Sequence, residues 1–435
     1  MKQLFKTLLA LLFVCCLLLS VSCKAIGYNK KEAQKNRLQF WVDVLSTKDI
    51  QSVAGQLEAW HFPAFSSAKL LLVEEKFESS YYKDLPDKVT LAKETARIYL
   101  ADFYDRTDTE DEEKNTFAII SSYIAAVGDE YGMYRSPAEY KDYNQNLSGE
   151  YVGIGISVRR DAKTDIIEVT EVVPDGPAHE AGLLPHDILY AVNGALTSEL
   201  GYDDTVASVR GEAGTTVEIT VKRGENLLTF LITRRAMQDI SVRYSLDEES
   251  GIAYVRITQF KGNTAEQFYK AIDELEANMS TKGYIFDVRG NPGGYLYTVV
   301  DILSYLTKEG STIVTFTESY SEPMYDTDNH EVTKPMIILA SEYTASAGEL
   351  FASSLRENKD VPIVGKTTYG KGVMQNTYRF SDQSSITLTI SEYNPPSGIN
   401  YDGIGVHHDY EVLNIGDDDA QLLFAEEKLL EKINK

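Results

Sequence analysis

The spacing of apolar residues changes twice along these 435 residues, and each change limits what the chain can fold into. From Lys30 to about Tyr143 apolar positions recur every three or four residues. Leu38, Trp41, Val42 and Leu45 form one such set, Leu91, Ala92, Ala96, Leu100 and Phe103 a second, and Phe117, Ile120, Tyr123, Ile124 and Val127 a third. That is the period of amphipathic helices. The acidic run Asp105–Glu113 reads as a solvated loop and helix start. From Gly149 to about Arg235 short strand-like runs take over: Tyr151–Val158, Ile166–Val173, Asp187–Val192, Thr216–Lys222 and Leu227–Arg234. Turns at Asp175-Gly176, Asn193-Gly194 and Gly211–Gly214 separate them, and short helices fit Ala178–Ala181 and Asp203–Val209. From about Met237 to Leu413 strands (Ile252–Ile257, Gly283–Val288, Met336–Ala340, Val361–Val364) alternate with helices (Thr264–Asn278, Leu296–Leu306, Ser346–Arg356). A final helix fits Ala420–Ile433. Alternation of this kind predicts an α/β core, so the fold class is multidomain α/β.

Composition removes several functions. With 43% hydrophobic and 25% charged residues the chain can bury a core, and wholesale disorder is excluded. Lys+Arg number 42 against 66 Asp+Glu, a net charge of −24, which lacks the basic footprint of a nucleic-acid binder. The three cysteines, Cys15, Cys16 and Cys23, all lie near the start, so disulfide frameworks, cysteine nucleophiles and CxxC metal sites are excluded. His179-Glu180 would need a second histidine where Leu183 stands to make a zinc helix. No metal and no cofactor is expected.

The N-terminus reads as a targeting segment. Lys2 and Lys6 precede an apolar run from Leu8 to Leu19, which suits a signal peptide and is short for a span of about 20 residues. Ser20-Val21-Ser22-Cys23 then resembles a bacterial lipoprotein signal, with Cys23 lipidated after cleavage. Plain secretion by a cut at the same bond is the other reading. Lipid on Cys23 would tether the protein to the outer face of a membrane. The acidic chain would gain no attraction to anionic lipid, so any anchor must come from the acyl chains.

The β-rich segment looks like a PDZ domain. It has five strands, two helices and Gly176-Pro177-Ala178, Ala181-Gly182-Leu183 and His186-Asp187-Ile188-Leu189 in the order of that fold. Val152, Gly153, Ile154, Gly155 and Ile156 then resemble its carboxylate-binding loop and first peptide-facing strand. Glycine-rich backbone can turn N–H groups toward a C-terminal carboxylate while the peptide adds as an extra strand. A dinucleotide loop is rejected because its third glycine would fall on Val158.

Three segments of the α/β region carry candidate chemistry. Ser346-Ala347-Gly348-Glu349 follows a buried strand and opens a helix, where a hydroxyl gains from the helix dipole and free N–H groups. The same spacing is a capping box, which a purely structural serine would also make. Gly365 to Gly370-Lys371 nearly spells a phosphate loop, but Gly372 stands where a hydroxyl should bind magnesium and a strand follows in place of a helix. Gly370 and Gly372 permit close backbone approach around Lys371. Asp287-Val288-Arg289-Gly290-Asn291-Pro292-Gly293-Gly294 ends a strand in a glycine turn whose N–H groups can face a ligand, and a tight strand-to-helix turn explains it equally.

Taken in order behind a PDZ-like domain, DxRGNPGG, TASAGE and GKGxxQ resemble the carboxyl-terminal processing (tail-specific) protease family of serine peptidases. The resemblance covers roughly residues 115–413, and the separations Ser346 to Lys371 (25) and Lys371 to Gln375 (4) match it. It implies Ser346 as nucleophile, Lys371 as general base and Gln375 as the group orienting that lysine. It implies an oxyanion hole from the N–H groups of Gly293 and Ala347, with Gly294 a further candidate. Glu349 falls where many members carry glutamate. His408 stands where a proline is usual, outside the catalytic set. The implied core resembles the ClpP/crotonase-like fold.

The residue types suit that chemistry. Lysine is a base only when neutral, and holding one neutral at pH 7 costs about 4.6 kcal/mol against its ordinary pKa of about 10.4. Burial supplies such a shift. Gln375 can orient an amine without adding charge, and no acid lies within Gly365–Asn376. On an extended strand residues four apart sit about 13 Å apart, so the glycines must bend the chain for Lys371 and Gln375 to meet. A Ser-His-Asp site lacks a GxSxG elbow, although His407-His408-Asp409 could join one. The expected organisation is a signal peptide (1–22), a tether (23–29), a helical region (30–148), a PDZ domain (149–236), a catalytic domain (237–413) and a C-terminal helix (414–435). The expected partners are protein substrates recognised by their C-termini, with homodimerisation through the N-terminal helices open. A catalytically silent PDZ adaptor lipoprotein is the alternative.

Overall fold

The computed structural model describes residues 65–103, 111–317, 322–326, 330–414 and 418–434. The signal peptide, Cys23, the tether, the Leu38–Leu45 pattern and most of the acidic run lie outside them. The chain forms two compact units. One runs to Pro137 and includes Gln375–Ile390; the other holds Ala138–Met374 and Ser391 onward. The first unit therefore takes in a stretch that sequence order alone assigned to the catalytic segment.

In the first unit, helices Ser67–Ser80, Lys88–Ile98 and Glu112–Val127 bury Leu70, Val73, Phe77, Leu91, Ala92, Ile120, Tyr123 and Ile124. Each helix begins on a side-chain cap: Ser66, Asp87 and Asp111 accept first-turn amides. Asp111, the first described residue of the acidic run, thus starts a helix. Phe117 departs from the expected stripe and is partly exposed. Strand Met133–Arg135 pairs antiparallel with Ser385–Thr387.

The second unit begins inside helix Pro137–Ser148, at Ala138, and continues into the small β domain. Its sheet orders the strands Ile156–Arg160, Ile167–Val172, Ile188–Val192, Thr216–Arg223 and Asn226–Thr233 side by side, with Ala195–Leu196 appended to the third. Ile154, Val169, Leu183, Leu189, Val217, Ile219 and Val221 form its core. The single strand expected over Tyr151–Val158 is two, because Gly155 takes φ +79° and breaks it. Its first half, Glu150–Gly153, pairs with Arg235–Gln238 in a separate ribbon.

The rest of the unit is a six-stranded sheet whose spatial order follows the chain: β1 (Val242–Asp247), β2 (Ile252–Ile257), β3 (Gly283–Asp287), β4 (Met336–Ala340), β5 (Ile363–Gly365) and β6 (Tyr410–Glu411). β1 and β2 are antiparallel; all later neighbours are parallel. Every residue of β3 and β4 is buried, which explains the unbroken apolar run of β4 and of β3 as far as Phe286, before Asp287. Helices α1 (Thr264–Ala277), α2 (Leu296–Leu306) and α3 (Ala347–Lys359) share one core with the sheet, containing Phe268, Phe286, Leu303, Leu350 and Phe351. Helix α4 (Ala420–Ile433) covers Ile285, Ile337 and Leu339 with Ala425 and Leu429. The loops leaving β3 and β4 are thereby anchored in two cores at once.

Candidate active site

β4 delivers the nucleophile segment. Ser346 caps α3 with φ 54° and ψ −121°, a region that a side-chain-bearing residue enters at a cost of about 1–3 kcal/mol. The surroundings hold it there. The Ala345 amide donates to the Asn291 carbonyl at 2.9 Å, and Thr344 Oγ1 donates to the Val288 carbonyl at 2.8 Å. The Ser346 amide donates to Glu349 Oε2 at 2.9 Å, the carboxylate arm of a capping box. The serine hydroxyl makes no cap bond to the helix, so it is left for other work.

Glu349 does more than cap. Its side chain is fully buried. Oε2 also accepts the Lys371 amide at 2.8 Å, while Oε1 accepts the Gly370 amide at 2.7 Å and the Thr368 hydroxyl at 2.5 Å. Burial pushes its carboxyl above the usual range; the Thr368 hydroxyl and the amides of Lys371, Gly370 and Ser346 pull the other way. One carboxylate therefore fixes the backbone of the nucleophile against the backbone of the lysine. The glycines around Lys371 sit where the backbone packs closely. Gly370 has φ +92°, and a Cβ there would lie 2.9 Å from the Gly405 nitrogen. At Gly372 a Cβ would lie 2.5 Å from Asn400 Oδ1. Lys371 is half-buried and precedes the strand Val373–Arg379.

The glycine turn after β3 lies against the serine. A Cβ at Gly293 would come within 2.8 Å of Ser346 Cβ and 3.0 Å of the Ala347 nitrogen, so only glycine fits. The Gly293 amide donates to Asn291 Oδ1 at 2.8 Å, a use that sequence reasoning did not foresee. An oxyanion there would have to displace that bond. The amides of Ala347 and Gly294 carry no such bond among the described residues. Beneath the turn, fully buried Asp287 accepts from Tyr254 (2.5 Å), Arg256 (2.8 Å) and Arg289 (2.7 Å), and Arg289 also forks onto Asp419 at 2.7 and 2.8 Å. A cleft of about 520 Å³ opens over this network, but Arg256, Arg289 and Lys366 are each paired with an acid and neither Ser346 nor Lys371 lines it.

Comparison with known proteins decides the family. A family model described as Peptidase family S41 matches residues 251–412, and one described as PDZ domain matches residues 168–223. The carboxy-terminal processing protease CtpA of Bacillus subtilis is 31% identical over 323 residues, covering 74% of this chain and 66% of its own. The carboxyl-terminal-processing protease of Synechocystis sp. is 28% identical over 313 residues, 71% of each chain. The chain belongs to the carboxyl-terminal processing serine proteases, peptidase family S41. A solved structure described as an S41 protease of Bacteroides fragilis superimposes with a TM-score of 0.54 at 15% identity, over 84% of this chain and 98% of its own, and shares the fold.

Within this S41 peptidase the remaining expected residues are placed as follows. Gln375 falls in the other compact unit, where its side-chain amide donates to Thr389 Oγ1 at 3.4 Å. Thr389 is itself held by buried Asp129 through its amide (2.8 Å) and hydroxyl (2.7 Å). In the PDZ domain Ile154 is sealed in the core, and Val152 and Gly153 pair with Ala236 and Arg235. Those three do not line an open groove. Gly155 and Ile156 lead into Ile156–Arg160, an edge strand of the sheet. Tyr202, from helix Thr197–Val209, donates to the Val158 carbonyl on that edge at 3.3 Å. Sequence reasoning missed Tyr393, whose hydroxyl lies 3.4 Å from Ser346 Oγ. No motif marked it; it ends a buried strand, Ser385–Asn394.

Proposed function

We propose that this S41 peptidase is an extracytoplasmic endopeptidase that selects substrates by their C-termini through its PDZ domain and cuts them by a Ser346–Lys371 mechanism. The observation carrying the reading is the Glu349 carboxylate, which accepts the amides of both residues. In this mechanism neutral Lys371 takes the Ser346 proton as Oγ attacks the scissile carbonyl carbon. The carbonyl oxygen becomes an oxyanion, and the Ala347 N–H with one N–H of the Gly293-Gly294 turn receives it. Collapse expels the amine, which takes the proton from the lysine ammonium. Water then attacks the acyl-enzyme by the same route, and Oγ leaves with the returned proton. Gln375 orients the lysine. The PDZ edge strand beginning at Gly155-Ile156 accepts the substrate tail as an added strand. Cys23 carries the lipid that holds the enzyme at the outer face of the cytoplasmic membrane.

The test is covalent labelling by a serine-directed fluorophosphonate, read beside peptide cleavage. Wild type should be labelled at Ser346, and Ser346→Ala should lose label and turnover while staying folded. Turnover by Ser346→Ala at the wild-type rate would overturn the assignment, and absence of both label and turnover in the wild type would favour the silent adaptor.

A further inference from the structure

Tyr393 sits one residue before the Asn394-Pro395-Pro396 segment and belongs to no catalytic motif of the sequence. The fold carries it to the nucleophile. Its ring is buried, 3% exposed, and packs edge-on against Tyr401 with centroids 6.1 Å apart at 87°. Its amide donates to the Gly372 carbonyl at 3.1 Å, which ties it to the lysine loop. Its hydroxyl reaches two oxygens, Ser346 Oγ at 3.4 Å and the Lys371 carbonyl at 3.3 Å. A phenol has one proton, so it donates to one of them at a time.

We propose that Tyr393 is a further catalytic residue of the peptidase reaction, whose hydroxyl shifts its hydrogen bond from the Lys371 carbonyl to Ser346 Oγ as negative charge develops there. This rests on Ser346 being the nucleophile. At rest the phenol proton divides between the Lys371 carbonyl and Ser346 Oγ, both within its reach, and the serine proton is left for the base. Once the serine proton has gone to the base, Oγ can only accept. Rotation about the C–O bond of Tyr393 then brings the phenol proton to Oγ with no heavy atom moving. The same donation stabilises Oγ as it leaves in breakdown of the acyl-enzyme. Tyr393 neither gains nor loses a proton in either step, so the Ser346–Lys371 proton balance is unchanged. Burial, chiefly, holds the phenol above its ordinary ionisation range, which keeps it a neutral donor throughout the working pH range. The two distances exceed the usual O–H···O value of about 2.7–2.8 Å, as expected of a resting state in which the bond to Oγ has yet to tighten.

Tyr393→Phe removes the hydroxyl and keeps the ring against Tyr401. In the full-length protein with a peptide substrate, kcat should fall roughly 10- to 100-fold, less than the 100- to 1000-fold typical of a well-placed oxyanion donor. KM should stay within about twofold, and the rate of Ser346 labelling by a fluorophosphonate should fall in parallel with kcat. The pH at which activity rises should not move, because Tyr393 is not the base. Wild-type kcat and labelling, or a raised KM with kcat intact, would overturn the proposal. Should Tyr393→Phe fail to fold, a ring-fluorinated tyrosine installed at Tyr393 is the second measurement: a stronger donor should speed acylation, and an unchanged or slower rate would overturn it. Ser346→Ala run alongside separates the outcomes. If it stays active the nucleophile assignment has failed; if it is inactive while Tyr393→Phe matches wild type, only the role of Tyr393 has.

Discussion

The carboxylate of Glu349 holds the backbone N–H of Lys371 at 2.8 Å, across 22 positions of sequence. The same oxygen holds the Ser346 amide at 2.9 Å. The carboxylate therefore meets the lysine through its backbone N–H. That brace sets the lysine loop, which contains no acid of its own, against the nucleophile segment.

Glu349→Gln should separate this brace from simple packing. An amide of equal shape turns one acceptor oxygen into an NH2 facing two donors, and a buried unmet donor costs about 1–3 kcal/mol. Stability measured by urea unfolding should drop by that amount. The rate of Ser346 labelling should fall at least about tenfold, because roughly 1.4 kcal/mol or more of positioning is lost with the Lys371 loop released. A variant that unfolds more easily yet labels at the wild-type rate would confine Glu349 to a packing role.

Lys371→Arg distinguishes a base from a fixed cation. Arginine stays protonated above about pH 12, so the variant should be as inactive as Lys371→Ala while remaining folded. Peptide cleavage across about pH 6 to 10 is the measurement, and the wild type should gain activity through one ionisation on the basic side. Arginine activity within about tenfold of wild type would end the serine–lysine mechanism and reopen the histidine readings.

Tyr202→Phe should improve substrate capture. The Tyr202 hydroxyl occupies the Val158 carbonyl on the PDZ edge strand, an acceptor that an added peptide strand needs. Releasing one partly exposed hydrogen bond of about 0.5–1 kcal/mol should lower KM about two- to fivefold with kcat unchanged. An unchanged KM would mean that the substrate tail does not dock along this strand.

Asp187 gives the PDZ domain an acid limit. Burial would raise its carboxyl, but the Arg223 fork, at 2.6 and 2.7 Å, and the Leu184 amide together hold it below the usual carboxylate value. A depressed folded pKa means that the unfolded chain takes up the proton first. The contribution to stability is complete above the unfolded value of about 3.9 and is lost as pH falls through the lower folded value. Calorimetry of the whole protein should show a transition that weakens below about pH 4, with a shallower acid dependence in Asp187→Asn. Equal acid slopes in the two proteins would remove Asp187 as a source of the limit.

The strands and helices around the site were legible because β4 is a continuous apolar run, β3 is one up to Asp287, and α1 and α2 keep a helical stripe. The glycine–lysine–glycine segment and the serine helix start were legible for the same local reasons. Three things were not. The left-handed backbone of Ser346 is held by Asn291 from another segment together with the local Glu349. The engagement of the Gly293 amide by Asn291 depends on a side-chain rotamer. Tyr393 is set beside the serine by a long-range strand, and a lone tyrosine near the end of an alternating strand carries no local mark of catalysis. The split of Tyr151–Val158 at Gly155 was signalled by its glycines, which the alternating pattern outweighed.

Arg289 links the β3 turn to Asp419 at the start of helix α4. Asp419 follows Ser346, Lys371 and Tyr393 in the chain, so a ribosome makes it after all of them. A nascent polypeptide can thus possess its nucleophile, its base and its glycine turn while the guanidinium under that turn still lacks its outer partner and one face of the sheet is bare. Order of synthesis acts here as a timer: the machinery for cutting other chains is braced only after every residue of that machinery has been made.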